Sequence, residues 1–275
     1  MASPTPLPSC PQFALIGERI NTHRERFRVK VFERDSAAIL DELRKQQSVN
    51  VTHLDLNAGG NPAKEADDLL WILETILPEL LPRTGLVLDS TSPECLSRAL
   101  FRIQGRAGTI INAITPDADK LKPLLPLVQQ HRTGVVALCG SANASPRTME
   151  ERLAAAEQLH SALSLAGVAD EQIYFDPLIL PLAYDPQQPS EVLVTVRELR
   201  RRWPRAHTLV GVSNISFNMP KRSLLNRTFL AMLLASGVDA VLFDPCDAES
   251  ASTLIAARAL LGQDDFLTDY LSHAT

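Results

Sequence analysis

The fold is indicated first by the stretch Thr208-Leu209-Val210-Gly211-Val212-Ser213-Asn214-Ile215-Ser216-Phe217-Asn218. Its opening residues form a short apolar run, which predicts a β-strand. Hydroxyl and amide side chains then follow in quick succession, and a mostly apolar helix is predicted from about Leu225. A strand that ends in such groups before a helix is typical of the mouth of a binding site. Turns and helix caps use the same residue types, so the stretch alone leaves both interpretations open.

The same strand-then-helix order repeats along the whole chain. Eight apolar runs predict strands, at residues 13–21, 53–57, 85–91, 109–114, 134–139, 173–178, 209–212 and 240–245. Helices are predicted between them, with starts signalled by Asp35, Ser92, Thr148 and Ser190, and with a last helix over 251–261. Eight such units in one α/β chain predict a (β/α)8 TIM barrel. An open, doubly wound sheet is the alternative, although the first turn lacks the GxGxxG pattern of its dinucleotide-binding version.

Composition narrows the functional class. The chain has 275 residues, a net charge of −5, 45% hydrophobic and 21% charged residues, which is ordinary for a globular protein and argues against a general nucleic-acid binder. The four cysteines and six histidines form no CxxC or HExxH pattern, so we expect reduced thiols and no protein metal site. No apolar run is long enough for a membrane helix. We expect a cytoplasmic protein with a flexible arm at residues 1–12 and a single barrel at 13–275.

Polar side chains fall where the predicted strands end. They are Glu18, Asn21, Asp55, Asn57, Asp89, Asn112, Asp176, Asn214 and Asp244. Buried parallel strands are usually almost purely aliphatic, and a carboxylate or amide is costly to bury without a partner. Each residue alone could cap the following helix. Together, at the end of a barrel where strands converge, they predict a cup that suits a flat, polar heterocycle with several ring NH groups.

Six segments, in order between about residues 13 and 261, resemble a known family. They are Ile16-Gly17-Glu18-Arg19-Ile20-Asn21, Leu54-Asp55-Leu56-Asn57-Ala58-Gly59, Leu88-Asp89-Ser90-Thr91, Ile111-Asn112, the segment from Tyr174 to Pro181, and the segment from Val212 to Met232. The chain resembles the pterin-binding methyltetrahydrofolate:corrinoid methyltransferases. It is also similar to the folate-binding part of cobalamin-dependent methionine synthase and, more distantly, to dihydropteroate synthase.

The resemblance implies a TIM barrel, often a homodimer, that holds its pterin at the carboxyl ends of the strands. It implies that Asp89, Asn112 and Asp176 bind the pterin ring and that Asn214 faces N5, the nitrogen that carries the methyl group. Arg222 matches a basic position of the seventh loop, and Glu18 and Asp55 match supporting acidic positions. Asp176 is the candidate proton relay to N5, because an asparagine cannot be a general acid at neutral pH.

The activity that the resemblance implies is methyl transfer between methyltetrahydrofolate and the cobalt of a corrinoid (cobalamin), in a direction left open. The sequence has no DxHxxG motif of the kind that holds cobalamin, so we expect the corrinoid on a partner protein. The first loop, 21–28, and the fifth, 140–147, depart from the family pattern. We expect both on the rim that meets this partner.

Three alternatives remain. One is a dihydropteroate synthase-like enzyme, although no Lys/Arg-x-His pattern stands near Phe243-Asp244-Pro245-Cys246-Asp247. Another is a folate-binding protein without turnover. The third is an isolated fragment of methionine synthase, for which the chain offers no cysteine cluster that could bind zinc.

Overall fold

The computed structural model describes residues 13–104, 106–141 and 145–274, so the predicted arm and part of the fifth loop lie outside the described residues. Eight parallel strands close into a barrel in sequence order, which confirms the predicted (β/α)8 architecture. The strands are β1 (Ala14–Asn21), β2 (His53–Asn57), β3 (Gly85–Asp89), β4 (Thr109–Ile114), β5 (Gly134–Leu138), β6 (Ile173–Asp176), β7 (His207–Gly211) and β8 (Ala240–Phe243). The helices are α1 (Glu25–Phe32), α2 (Ser36–Ser48), α3 (Glu65–Ile76), α4 (Pro93–Arg102), α5 (Ala118–His131), α6 (Met149–Leu165), α7 (Gln188–Arg202), α8 (Arg222–Ala235), α9 (Ala248–Leu260) and α10 (Thr268–Ala274).

The apolar core has two parts, because each strand is buried on both faces. Inside the barrel, a small cluster that includes Ile16, Val87 and Val136 fills the space between opposite strands. The larger cluster lies between the outer face of the barrel and the surrounding helices. The aliphatic runs that predicted the strands are therefore the residues that this two-sided burial requires.

Most predicted helix starts are confirmed by their caps. Asp35 accepts a hydrogen bond from the backbone of Ala38, and Ser92 accepts one from Cys95. Thr148 forms a reciprocal capping box with Glu151. The prediction for Ser190 is wrong, since α7 already begins at Gln188 and the hydroxyl of Ser190 donates back to the carbonyl of Gln187.

Several boundaries differ from the prediction. The first loop contains the helix α1, whose Phe27 and Val31 are buried one turn apart and were masked in the sequence by surrounding charges. A short 3-10 helix, Val212–Ser216, follows β7, and α8 begins at Arg222 instead of near Leu225. The last predicted helix begins at Ala248, three residues early, and is followed by the unpredicted α10. Strands β3, β5, β6 and β8 each end one or two residues before the predicted limit, as the chain turns away from the barrel.

The barrel closes where β8 pairs with β1. Arg19 bridges this closure, because its guanidinium donates two hydrogen bonds to Asp244, of 3.0 and 2.8 Å, and two to Glu42 on α2, of 2.6 and 3.1 Å. The bonds to Glu42 come from two nitrogens, Nε and Nη2, which is the bidentate geometry that makes arginine pairs strong, whereas both bonds to Asp244 come from Nη1. Across the described residues, no helix is long and apolar enough to span a lipid bilayer.

Candidate active site

Three adjacent strands carry polar residues at one level near their carboxyl ends. Asn57 of β2 is in register with Asp89 of β3, which is in register with Asn112 of β4. The side-chain amide of Asn57 donates to Oδ2 of Asp89 over 2.7 Å. This bond orients the Asp89 carboxylate and leaves its other oxygen able to accept a hydrogen bond from a ligand.

Asp55 lies one layer deeper, two residues before Asn57 on the same strand. Its side chain is buried, and its hydrogen bond is a long one of 3.5 Å from the amide of Asn112. Burial, reinforced by the charges of Asp89 and Glu18, raises the pKa of Asp55 well above its ordinary value. Burial also raises the pKa of Asp89, against the opposing effect of the Asn57 hydrogen bond. The floor of the cup can therefore hold protons at a pH where exposed aspartates are ionised.

A second group joins β1 to the loop after β7. The hydroxyl of Ser213 donates to Oε1 of Glu18 over 2.5 Å. Burial raises the pKa of Glu18, and Asp244 adds to this effect, while the Ser213 hydrogen bond opposes it. Arg222, the first residue of α8, donates from Nε to the hydroxyl of Ser216 and from Nη2 to the carbonyl of Ser213, both over 3.0 Å. The 3-10 helix is thereby fixed between β1 and α8.

Asn214 stands in the middle of that 3-10 helix and is exposed. Within the described part of the chain, its side-chain amide makes no hydrogen bond. Gly211, the last residue of β7, leaves room for this amide, because a Cβ at that position would lie 3.2 Å from its nitrogen. Asn214 therefore presents both a donor and an acceptor at the mouth of the barrel.

Asp176 ends β6, across the barrel from β2. Its Oδ1 accepts a hydrogen bond of 2.8 Å from the backbone of Leu178. Burial raises the pKa of Asp176 to about 6, and the Leu178 hydrogen bond and the charge of Arg152 limit the rise. A carboxyl with a pKa this close to neutrality can both bind NH groups and exchange a proton.

The geometry agrees with a comparison of the sequence to known families. A model of the family described as pterin binding enzyme matches residues 17–244, which is most of the chain. The chain belongs to the pterin-binding enzyme family. The matched region runs from the middle of β1 to the residue after β8, so it contains every strand end described above.

Individual relatives support this placement. The methylcorrinoid:tetrahydrofolate methyltransferase of Eubacterium limosum is 27% identical over 259 residues, which cover 93% of this chain and 94% of that protein. The methionine synthase of Mycobacterium leprae (strain TN) is 30% identical over 253 residues, 86% of this chain but 20% of that protein. This pterin-binding enzyme thus spans about a fifth of the length of the methionine synthase that it matches.

Two solved structures have a fold similar to that of this chain. A dihydropteroate synthase of Yersinia pestis with a pterin–sulfa conjugate has a TM-score of 0.68 at 16% identity, covering 91% of this chain and 94% of that one. A dihydropteroate synthase of Coxiella burnetii with pteroic acid has a TM-score of 0.65 at 16% identity, covering 94% of this chain and 98% of that one. At this identity the likeness shows the fold alone.

The structure places all seven predicted site residues at the carboxyl end of the barrel or on the loops that follow it. It brings Glu18, Asp55, Asp89 and Asn112 into one group linked by hydrogen bonding or charge. Asp176 lies across the barrel from β2, at the end of β6. Asn214 and Arg222 follow β7, beside the Ser213 hydroxyl that donates to Glu18.

The sequence did not predict two residues that hold segments of the candidate site in place, Ser213 and Arg152. Ser213 directly precedes Asn214, so its position was a usable signal. Arg152 carried no signal, because an arginine inside a polar helical segment is normally a surface residue.

Cavity volume does not locate the candidate active site. A cavity of about 920 Å³ lies at the amino end of the barrel, lined among others by His207, Asp239 and Arg258. A smaller one, of about 500 Å³, lies outside the barrel wall beside Thr22 and Gly60. Active sites of such barrels form at the carboxyl ends of the strands, and the four strand-end carboxyls whose pKa values burial raises, Glu18, Asp55, Asp89 and Asp176, lie there.

Proposed function

We propose that this pterin-binding enzyme transfers a methyl group between N5 of methyltetrahydrofolate and the cobalt of a corrinoid carried by a separate protein. The observation that carries the proposal is the cup of carboxyl groups with raised pKa values and of side-chain amides at the carboxyl end of the barrel. The similarity to the Eubacterium limosum methyltransferase over nearly the whole of both chains supports the choice of reaction.

Binding of the pterin ring is assigned to Asp89, Asn112 and Asp176. The pyrimidine half of a pterin presents adjacent NH groups, which a carboxylate can accept in pairs, and a carbonyl, to which an amide can donate. Asn57 holds Asp89 in place by its 2.7 Å hydrogen bond. Asp55, beneath them, would complete the floor in its protonated form.

Activation of N5 is assigned to Asn214. A methyl group on a tertiary amine leaves poorly, because the departing nitrogen would become an anion. As the methyl group passes to cobalt(I), N5 keeps the electron pair of the broken bond and takes up a proton, so the product nitrogen is neutral. A hydrogen bond from the free amide of Asn214 strengthens as this charge develops, which lowers the barrier without tightening substrate binding equally.

The proton at N5 requires an acid, and Asp176 is the candidate relay. Its pKa of about 6 places both its protonated and its ionised forms within reach at neutral pH. The reverse transfer, from the methylated corrinoid to tetrahydrofolate, would use the same groups, with Asp176 then accepting the proton.

The corrinoid is a substrate delivered by a partner protein, which must reach N5 at the open end of the barrel. The first loop, with the helix α1, and the described ends of the fifth loop flank that opening, and we assign both to the contact with the partner. We further propose that the protein is a cytoplasmic homodimer. Sedimentation equilibrium on the purified chain tests the dimer directly, and a monomer at micromolar concentration would remove it.

The deciding experiment is anaerobic mixing of the protein with cob(I)alamin and methyltetrahydrofolate, followed through the cobalt spectrum. Conversion to methylcobalamin that depends on the protein supports the proposed reaction. Tight folate binding without conversion by free cobalamin or by candidate corrinoid proteins would favour the folate-binding alternative. Absence of both conversion and folate binding would refute the assignment of the site.

A further inference from the structure

Arg152, on α6, is fully buried, with an exposed fraction of 0%. Its guanidinium donates to the carbonyls of Pro177 over 2.6 Å, Leu178 over 3.3 Å and Thr148 over 3.2 Å, and to the side-chain oxygen of Gln188 over 2.5 Å. All four acceptors are neutral, and no carboxylate forms an ion pair with Arg152 in the described ranges. Burial of an unpaired cation is costly, so a specific role must account for its presence.

Two of these acceptors belong to the segment that directly follows Asp176. Leu178 has a φ of 51°, a left-handed conformation that residues other than glycine adopt at a cost. The N–H of the same residue donates back to Oδ1 of Asp176 over 2.8 Å. The hydrogen bonds from Arg152 to the carbonyls of Pro177 and Leu178 therefore hold the backbone that orients the Asp176 carboxylate.

The surroundings also make Arg152 the main positive charge that acts on Asp176. Its charge opposes the rise in the pKa of Asp176 that burial causes. From the strand side, Cys139 contributes no charge, because burial raises the pKa of its thiol. The charges of Glu191 and Glu151 also act on Arg152. Their hydrogen bonds go elsewhere, since Glu191 accepts from the backbone of Met149 and Glu151 from the backbone before α6.

Gln188, on α7, belongs to the same hydrogen-bond network as Arg152. Its oxygen accepts from Arg152, and its amide nitrogen donates to the carbonyl of Arg147 over 3.1 Å and to Asp185 over 3.0 Å. Gln188 is itself fully buried. The guanidinium is thus fixed from α7 as well as from its own helix.

We propose that Arg152 is a positioning residue of the pterin site. From within the wall of the barrel, it holds the Pro177–Leu178 backbone and places a buried positive charge near the Asp176 carboxylate, so that this carboxylate stays aimed at the ring NH groups of the pterin. The effect of Arg152 on pterin binding rests on the proposed function. The orientation and ionisation of Asp176 follow from the contacts of Arg152 and can be measured without any ligand.

The chain offers a matched control in Arg258, on α9. Its side chain is also buried, with 4% exposed, and donates to the carbonyl of Gln263 over 2.9 Å. It differs from Arg152 in forming an ion pair of 3.8 Å with Asp269. It lines the cavity at the amino end of the barrel, away from the pterin site. Arg258→Gln should therefore reproduce the general cost of removing a buried arginine without changing Asp176.

The experiment compares the unaltered protein with Arg152→Gln, Arg152→Lys and Arg258→Gln. The carboxyl titration of Asp176 is followed in the ligand-free protein by carbon-13 NMR, and its signal is assigned by its loss in Asp176→Asn. Affinity for methyltetrahydrofolate is measured over the same pH range by anaerobic calorimetry.

We expect Arg152→Gln to raise the titration midpoint of Asp176 by about one unit. Because the ionised carboxylate binds the ring, folate binding should weaken roughly twofold at about pH 7 and approach a loss of roughly tenfold below about pH 6, with recovery at higher pH. Arg152→Lys keeps the charge but cannot make the same fork of hydrogen bonds, so its midpoint should move less while affinity still falls. Arg258→Gln should change neither.

A titration midpoint in both Arg152 variants equal to that in Arg258→Gln would overturn the proposal. If Arg152→Gln does not fold, the lysine variant decides the matter: unchanged folate affinity overturns the role, and a loss of affinity at unchanged stability supports it. Should the unaltered protein bind no folate at any pH, the proposed function fails, and the NMR titration still tests Arg152.

Discussion

Replacement of Asp176 by asparagine should stabilise the protein at neutral and alkaline pH. Asparagine has nearly the same shape, and its oxygen can still accept the Leu178 N–H. In the folded protein the carboxyl has a pKa of about 6, against an ordinary value of 3.8, because burial disfavours its charged form. The native state therefore works against the ionisation of Asp176, and the variant is free of this cost.

The sign and size follow from proton linkage. A carboxyl whose pKa is raised by folding contributes full stability below about pH 3.8, and this contribution is lost as the pH rises through about 6. The difference between the two pKa values corresponds to about 3 kcal/mol, as an upper bound, at a pH well above the higher value. The gain in the free energy of unfolding on Asp176→Asn should thus be near zero in acid and approach this bound near about pH 8.

The assay is urea unfolding of both proteins at a series of pH values, each pair in the same buffer. Subtraction of the two free energies at each pH removes the titration of all other groups that the substitution leaves alone. A difference that stays constant from acid to alkaline pH would refute the reasoning, because Asp176 would then have the same pKa in the folded and unfolded states. A difference that falls with rising pH would show that the folded protein stabilises the carboxylate.

Other substitutions test separate parts of the site and fold. Asn214→Ala should lower kcat by about 10²–10³-fold and change the Kd for methyltetrahydrofolate little, since the amide acts mainly in the transition state; equal losses in both would make Asn214 a binding residue. Asp89→Ala should raise the Kd for the pterin by about 10–100-fold through loss of charge-assisted hydrogen bonds, and an unchanged Kd in calorimetry would remove Asp89 from the ring. Gly85→Ala should destabilise the protein by about 1–3 kcal/mol in urea unfolding, because a Cβ there would lie 2.3 Å from the ring of His53 and 2.4 Å from the carbonyl of Gly108; an unchanged free energy would contradict that packing.

The strand ends could be predicted because their signal is local. Asp89 and Asn112 interrupt aliphatic runs, and such an interruption stands out against the uniform pattern of a buried parallel strand. Helix starts such as Ser92-Pro93 were equally local, since the cap and the first turn are consecutive residues. Asn214 was proposed in the same way, from its place after an apolar strand, although the 3-10 helix that carries it was predicted as a loop.

What escaped prediction depends on segments that are distant in the chain. The burial of Arg152 requires Thr148, Pro177 and Gln188 to surround it, and no short pattern contains all of them. The raised pKa of Asp55 likewise arises from neighbours on other strands and from enclosure by the whole barrel. Ser190 shows the converse error. A serine is a good helix cap, but this one lies two positions inside α7, which begins at Gln188.

The bridge from Arg19 to Asp244 has a consequence for the protein while it is being made. The two residues are 225 positions apart, so β1 leaves the ribosome long before the strand that it must pair with. At roughly 5–20 residues per second, the interval is on the order of 10–45 seconds. During that time the nascent chain exposes an unpaired strand edge, which neighbouring chains on the same messenger could pair with. Slower translation of the last quarter of the message should therefore lower the yield of soluble protein more than an equal delay at its beginning.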